Sequence, residues 1–372
     1  MEQEEEKKGG DDSKQSVVDE QESDYSVMSS LYKDAKLTQG FFGKHQEVNH
    51  LTMILNAIHH FSGREDDYEN FYNRYINDYD IEIESQQTPC LDITDKNWQN
   101  YTNNKENYQK FLQYFGSKWE LMGKKNILKI YLPVLTKNPS CGFFHPLIKM
   151  GHTCYLEDTT EITNTLSVWA CCYFQKPDYF NTVSFKKGDE GEGLENIFDK
   201  LRESREMQTL EFISGTHEER INKLFQSKEF YHLCSGYQKN DDTLKLLTIS
   251  VCNLYLEKPC FATMHLVEAC EGLRQTIQML SKEIDKEEAI FQFYLGICAT
   301  YVSIGMPKVN KLIAPTNLPA WNTIYNKALL NHDEHVLLLV YACTKLYYMY
   351  KGFKNYEIIR WVAASELNLI KN

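Results

Sequence analysis

The chain has 372 residues, of which 42% are apolar, 13% aromatic and 25% charged, and this balance is typical of a globular protein rather than a collagen or a wholly disordered chain. The formal net charge is −12, and residues 1–24 contribute −7 of it through ten acidic residues against three lysines. No dense basic stripe that could neutralise phosphates occurs, so the sequence predicts no nucleic-acid partner.

The N-terminal segment is poor in apolar residues and rich in Glu, Lys, Asp, Gln and Ser. Such a segment cannot bury enough surface to offset its ordering entropy, which predicts that residues 1–25 form a disordered acidic tail. Residues 26–372 then form one domain. No apolar signal region follows Met1, and the longest apolar-rich run, residues 335–350, is too short to span a membrane and contains Lys345. We therefore expect a soluble, cytoplasmic protein without membrane association.

Apolar residues recur at spacings of three and four along most of this domain, and this is the period of an amphipathic helix. Residues 290–301 are apolar enough to predict a helix that is buried on most sides. Hairpin signals are scarce, and most prolines fall between the periodic runs. The sequence therefore predicts an all-α fold with a single large multi-helix domain. The clearest periodic runs are Leu51, Ile54, Leu55 and Ile58; Leu112, Phe115 and Trp119; Ile127, Ile130, Tyr131 and Val134; and Phe198 and Leu201.

The eleven cysteines form no CxxC pair, and we expect reduced thiols that serve as small core residues. The segment KKGDEGEG, residues 186–193, is predicted to be a mobile internal loop. It contains the closest approach to a dinucleotide fingerprint, but its acidic residues would repel a pyrophosphate and no strand precedes it. The sequence therefore predicts no Rossmann-bound flavin. Walker, GxSxG and HExxH motifs do not occur in the sequence.

Four histidines stand next to apolar residues, on or near the start of a helical run: His50, His145, His265 and His335. Pro146 after the second of them fits the first turn of a helix, and Asp333 and Glu334 before the last one suit a helix N-terminus. Four such imidazoles could converge in a helical core as ligands of iron, zinc, copper or nickel. The alternative is that each is a hydrogen-bonded core residue, and spacing alone leaves both possibilities open.

Other histidines are weaker candidates. His59 follows His50 by nine residues, more than two helical turns, so these two cannot share a metal along one helix, and the adjacent His60 is also a weaker candidate. His332 precedes His335 by three residues and could join it, or it could be a solvated cap.

The segments around the four histidines also carry a family resemblance. They are Asn49-His50, residues 97–101 and 108–115, Phe144-His145-Pro146-Leu147-Ile148-Lys149-Met150-Gly151, Met264-His265-Leu266-Val267 and Asp333-Glu334-His335-Val336. In this order and spacing the chain resembles the questin oxidase-like family, which includes polyketide oxygenases described as Baeyer–Villiger-type enzymes.

The resemblance implies an all-helical oxidoreductase, a monooxygenase that acts on a small aromatic polyketide or quinone-like molecule. It also implies NADPH as the electron donor and a non-haem iron held by histidines. Carried over by position, His50, His145, His265 and His335 would be the metal ligands and catalytic residues, or the polar floor of the pocket. Glu268 and Glu334 are our candidates for carboxylates that set the histidine tautomers.

The chain departs from the family pattern at three positions. Leu338 stands where relatives often have a lysine, Lys149 where they often have histidine or arginine, and His152 where many have an aromatic residue. His152 lies two turns after His145 and could be a compensating ligand. These differences favour an alternative, a catalytically inactive family member that serves as a helical ligand-holding or interaction module. A hydrolase or lyase acting on the same flat substrates is a weaker alternative. Nothing in the sequence indicates an oligomeric state.

Overall fold

A computed structural model of the protein describes residues 28–43, 47–81, 92–154, 158–181, 185–187 and 193–370. The predicted tail, residues 1–25, and most of the predicted mobile loop lie outside these residues. The described chain forms one helical body, so the all-α prediction is confirmed. Its helices are α1 (residues 28–35), α2 (Leu51–His60), α3 (Glu65–Tyr79), α4 (Tyr108–Leu135), α5 (His145–Thr153), α6 (Thr159–Cys172), α7 (Leu194–Glu203), α8 (Leu210–Ile213), α9 (His217–Leu224), α10 (Lys228–Cys234), α11 (Thr243–Glu257), α12 (Phe261–Thr276), α13 (Glu283–Ser303), α14 (Trp321–Leu329), α15 (Glu334–Met349) and α16 (Glu357–Glu366).

Strands are minor elements of the fold. β1 (Phe41–Phe42) pairs antiparallel with β2 (Glu47–Val48), and β3 (Lys186–Lys187) pairs parallel with β4 (Gln238–Lys239). Each strand has only two residues, which is too short for a sheet with its own core, so these pairs only connect neighbouring loops. Short 3-10 turns lie at Trp98–Tyr101, Lys105–Asn107, Cys141–Phe144, Asp178–Asn181 and Ile277–Met279.

Most of the predicted helices lie where the apolar periodicity places them. The run at residues 51–58 is in α2, the two runs between residues 112 and 134 are both in α4, and Phe198 and Leu201 face the core from α7. α4 is interrupted at Gly123, whose φ of +71° leaves the helical region, and this explains why two separate runs occur in its sequence. α13 is buried from Phe291 to Ser303, as its uniform apolar character predicts.

Four helices form the centre of the molecule. α12 packs on α5 and on α15, α15 packs on α2, and α2 contacts α5, so the four close into a ring of neighbours. α5 and α12 approach most closely at Gly151 and Gly272. A Cβ added at Gly151 would lie 2.6 Å from Gly272 Cα, and one added at Gly272 would lie 2.7 Å from Leu147 O. Only glycine allows this backbone contact.

No helix in the described part of the chain is long and apolar enough to cross a membrane. The ten cysteines of the described residues are free thiols, and all but Cys260 are buried. Burial raises the pKa of Cys141 and Cys252 well above the usual range for a thiol, since the thiolate would lose its hydration. These cysteines therefore behave as small core side chains, as the sequence predicts.

Candidate functional site

The four central helices bring the four predicted histidines to one place. His50 directly precedes α2, His145 is the first residue of α5, His265 is the fifth residue of α12, and His335 is the second residue of α15. Each ring therefore lies at or near the N-terminal end of its helix. Because these ends meet, residues from four distant parts of the sequence share one site.

The rings pack directly against one another. His50 stacks on His145 with ring centroids 4.9 Å apart, and His145 meets His265 edge to face at 4.5 Å. His335 closes the group at 5.1 Å from His50 and 5.2 Å from His265. One ring nitrogen each of His50, His145 and His335 lies within 4.8 Å of the others. We call these four residues the histidine cluster.

The hydrogen bonds of His145 and His265 define their tautomers. His145 Nδ1 lies 2.8 Å from Gly142 O, and His265 Nδ1 lies 2.9 Å from Phe261 O. A carbonyl oxygen only accepts, so both Nδ1 atoms carry protons and donate them. In neutral rings both Nε2 atoms then hold bare lone pairs, and these two atoms are 3.0 Å apart. Two lone pairs at this distance repel unless a proton or a cation lies between them.

The hydrogen bond of His265 tests the prediction that the Glu268 carboxylate, also on α12, sets the tautomer of this histidine. The prediction that Glu268 sets the tautomer of His265 is wrong, because the backbone carbonyl of Phe261 does so. Glu334 lies closer to its histidine: its Oε1 is 3.9 Å from His335 Nδ1 and accepts a hydrogen bond of 2.8 Å from Tyr79.

His50 and His335 present nitrogens without a hydrogen-bond partner among the described residues. Both ring nitrogens of His50 and Nε2 of His335 are buried and unpartnered, and His50 as a whole is only 5% exposed. A buried polar atom without a partner costs about 1–3 kcal/mol, so natural folds rarely keep several together. Because one ring nitrogen each of His50, His145 and His335 lies within 4.8 Å of the others, a cation bound among them would satisfy one of the two nitrogens of His50.

Three rings of the histidine cluster, those of His50, His145 and His265, are neutral at physiological pH. Burial lowers the pKa of His145 to about 4, and the Gly142 carbonyl opposes this shift only in part. Burial, followed by the proximity of the other rings, also lowers the pKa of His50 and of His265 well below the usual value. A neutral imidazole with a free lone pair is the form that binds metals, so these rings need not lose a proton first.

An unusual backbone segment leads into His145. Gly142, Phe143 and Phe144 have φ angles of +55°, +55° and +69°, so three successive residues lie in the left-handed region. This conformation costs about 1–2 kcal/mol for each non-glycine residue. It turns the Gly142 carbonyl back onto His145 Nδ1, and the neighbouring Cys172 side chain leaves no room for a Cβ at Gly142. Strain of this kind is typical of functional sites.

A cavity of about 570 Å³ opens above the histidine cluster. Phe143 and Phe261 form one wall with nearly parallel rings 5.6 Å apart. Phe261 is 46% exposed although its ring lies only 4.1 Å from His265 and 5.0 Å from His335. The polar residues that line the cavity include Glu47, Glu218, Glu334, Lys105 and His217.

Sequence reasoning missed Phe261 and His217. Phe261 precedes His265 by one turn, so its contact with the cluster was visible in the spacing. His217 lacks the apolar neighbours that marked the other four. The capping box of Thr216 and Glu219 around it was the available signal, because it marks a helix start.

The remaining candidate residues lie elsewhere. His152, in the last turn of α5, stacks on Tyr341 at 4.5 Å and does not join the cluster. His60 also faces Tyr341, and His332 is exposed. Lys149 is buried with Glu161 and Thr52, and Leu338 is 1% exposed. None of these side chains reaches the cavity.

A family model described as questin oxidase-like matches residues 48–343, a range that includes all four rings of the histidine cluster. The chain belongs to the questin oxidase-like family. No curated protein matches the chain significantly. Membership in the questin oxidase-like family indicates an enzyme with an oxygenase-type role.

Proposed function

We propose that this questin oxidase-like protein is an oxygen-dependent oxidoreductase that acts on a flat aromatic, quinone-like molecule above a metal ion held by the histidine cluster. One observation carries the proposal. Two bare Nε2 atoms, of His145 and His265, face each other at 3.0 Å while both Nδ1 atoms are committed to backbone carbonyls.

The residues present fit a metal ion. Two imidazole nitrogens that each lie about 2.1 Å from an ion and at a right angle to one another are about 3.0 Å apart, as found for His145 and His265. His50 and His335 add buried nitrogens that have no other partner among the described residues. The backbone carbonyls behind two of the rings resemble the outer hydrogen bonds that orient histidine ligands in metal sites.

Imidazole ligands suit iron, and we propose a non-haem iron as the ion. A redox-active metal, when bound, supplies the one-electron chemistry by which dioxygen reacts with closed-shell organic molecules. The chain's own contribution is to hold four rings in place, of which those of His50, His145 and His265 are neutral. His265 is fully buried and His50 nearly so, and the ring of Phe261 packs against His265.

The cavity suits a planar substrate. Its volume of about 570 Å³ lies within the usual range for small-molecule pockets. Phe143 and Phe261 offer an aromatic wall for offset stacking. In a Baeyer–Villiger reaction one atom of dioxygen enters the substrate beside a carbonyl and the other leaves as water, with two electrons from the donor. We propose NADPH as that donor, and oxygen uptake measured with and without NADPH tests this.

A second candidate function is a catalytically inactive module that holds a ligand in the same cavity. The observation in its favour is Leu338, which is buried and apolar where family members often have a lysine. The two candidates differ in one result. The enzyme takes up oxygen with an aromatic substrate, whereas the holding module binds the molecule without oxygen uptake.

Metal analysis of the purified protein tests the proposal directly. We expect iron in the wild-type chain, and we expect its loss in His145→Ala and in His265→Ala, because each substitution removes one of the paired nitrogens. His332→Ala is the matched control, since this exposed histidine lies only three residues from His335. Circular dichroism checks that each variant is folded. Metal content that stays equal in all four proteins would falsify the metal centre.

A further inference from the structure

His217 is a cavity-lining histidine with a defined position outside the histidine cluster. It is the first residue of α9, and the capping box of Thr216 and Glu219 fixes where this helix begins. Its ring stacks on Phe143 with centroids 5.6 Å apart and planes within 18° of parallel. Phe143 in turn contacts His265 at 5.2 Å. His217 therefore lies one aromatic ring away from the proposed metal centre.

A short chain of hydrogen bonds defines the tautomer of His217. Ser303 Oγ donates its single proton to Thr300 O over 2.8 Å. His217 Nδ1 lies 3.3 Å from the same Ser303 Oγ, which can then only accept. Nδ1 must therefore carry the proton, and Nε2 holds the lone pair. A neutral ring is also expected, since burial and the nearby Arg220 lower the pKa of His217.

The Nε2 atom of His217 has no protein partner in the described part of the chain, and its ring borders the cavity. An acceptor in such a position favours a ligand that brings a hydrogen-bond donor. On a flat aromatic molecule stacked against Phe143 and Phe261, the donor that reaches the edge of the ring system is a hydroxyl group.

We propose that His217 determines specificity by accepting a hydrogen bond at Nε2 from a hydroxyl group on the aromatic substrate. This inference rests on the proposed function, because it assumes that the cavity above the histidine cluster binds the substrate. The role of Ser303 is that of a positioning residue, which holds His217 in the tautomer that accepts.

A comparison of two ligands tests the inference. The probes are 2-hydroxyanthraquinone and 2-methylanthraquinone, which have similar shapes but differ in the donor group, used at a pH where the phenol is protonated. We expect the wild-type protein to bind the hydroxy compound more tightly. In His217→Phe, which keeps a ring for stacking on Phe143, this preference should fall by about three- to tenfold, the effect of one hydrogen bond. Equilibrium dialysis gives both dissociation constants.

Two further variants sharpen the comparison. Ser303→Ala removes the acceptor behind Nδ1, so Nε2 can take the proton and the preference should fall in part. His232→Phe replaces an exposed histidine on α10, outside the cavity, and should leave the preference unchanged. A merely structural role for His217 would weaken both probes alike, so an unchanged ratio in His217→Phe overturns the inference and leaves the proposed function standing. If neither probe binds the wild-type chain, the inference and the proposed substrate class both fail.

Discussion

At the scale of single residues, the molecule keeps several polar side chains in its interior at a cost, and not all of them belong to the candidate site. Lys176 is one that does not. It is 4% exposed, donates to Gln292 Oε1 over 2.6 Å and lies 4.1 Å above the ring of Phe225. Its ammonium group has lost most of its hydration, and the amide and the ring replace only part of it.

Lys176 gives a prediction for the pH dependence of stability. Burial lowers its pKa to about 7, far below that of an exposed lysine. Between pH 7 and about 10.5 the unfolded chain binds a proton that the folded chain does not, so this residue makes stability rise with pH across that interval. Below pH 7 the folded state carries the full penalty.

We therefore expect Lys176→Met to stabilise the protein at pH 6.5 by on the order of a few kcal/mol, and to lose most of this advantage by pH 9.5. Thermal unfolding of both proteins at the two pH values measures the difference. A gain of the same size at both pH values would contradict the argument, because it would show that improved packing and not the charge is responsible.

At the scale of elements, the histidine cluster depends on how closely α5 and α12 approach each other. Gly272 has only backbone beneath it, with Leu147 O and Ile148 Cα within 2.7 Å and 3.1 Å of an added Cβ. Backbone atoms cannot rotate away as a side chain can. His145 lies on α5 and His265 on α12. The distance between their rings therefore depends on how closely the two helices approach at this glycine contact.

For Gly272→Ala we expect a loss of about 1–3 kcal/mol in the free energy of unfolding, the usual cost of overpacking, together with weaker metal binding as the two helices separate. Gly116→Ala in α4 is the matched control, because an added Cβ there meets nothing within 4 Å and alanine favours the helix. Urea unfolding and metal titration of both variants measure these effects. If Gly272→Ala binds metal as tightly as the wild type, the two helices do not control the site.

The positions of these helices could be predicted from the sequence, but their contacts could not. The three- and four-residue spacing predicted α2, and Pro146 and Asp333 marked the starts of α5 and α15 correctly, because these signals are local. The left-handed turn at Phe143 and Phe144 had no such signal, since non-glycine residues adopt it only when the surrounding fold imposes it. The capping box beside His217 predicts only the start of a helix, because its contacts with Ser303 and Phe143 involve residues that are distant in sequence.

At the scale of the whole molecule, a metal at the histidine cluster would join four helices from distant parts of the chain. A ligand that binds only the folded state stabilises it by RT ln(1 + L/Kd), where L is the free ligand concentration and Kd the dissociation constant. Without the metal, the buried nitrogens of His50 have no partner among the described residues and destabilise the fold. The same residue is therefore expected to have opposite effects on stability in the two states.

This reversal can be measured with His50→Leu, which replaces the ring by an apolar side chain. After chelation we expect the variant to be more stable than the wild type by about 1–3 kcal/mol, since it lacks the unpartnered nitrogens. With metal present the wild type should be the more stable protein. Melting temperatures with and without chelator give both comparisons. His332→Leu, at an exposed position, serves as the control, and a destabilised variant in both conditions would show that His50 acts by packing alone.

Because the four rings of the histidine cluster belong to four separate helices, the site constrains which truncated fragments of the chain can contain it. A fragment that ends before α15 lacks His335, and one that begins after α2 lacks His50. Neither half of the polypeptide can assemble the centre by itself, and a cut between the halves leaves it complete only if both pieces stay together. We therefore expect any activity that depends on the histidine cluster to require residues 50–335 together.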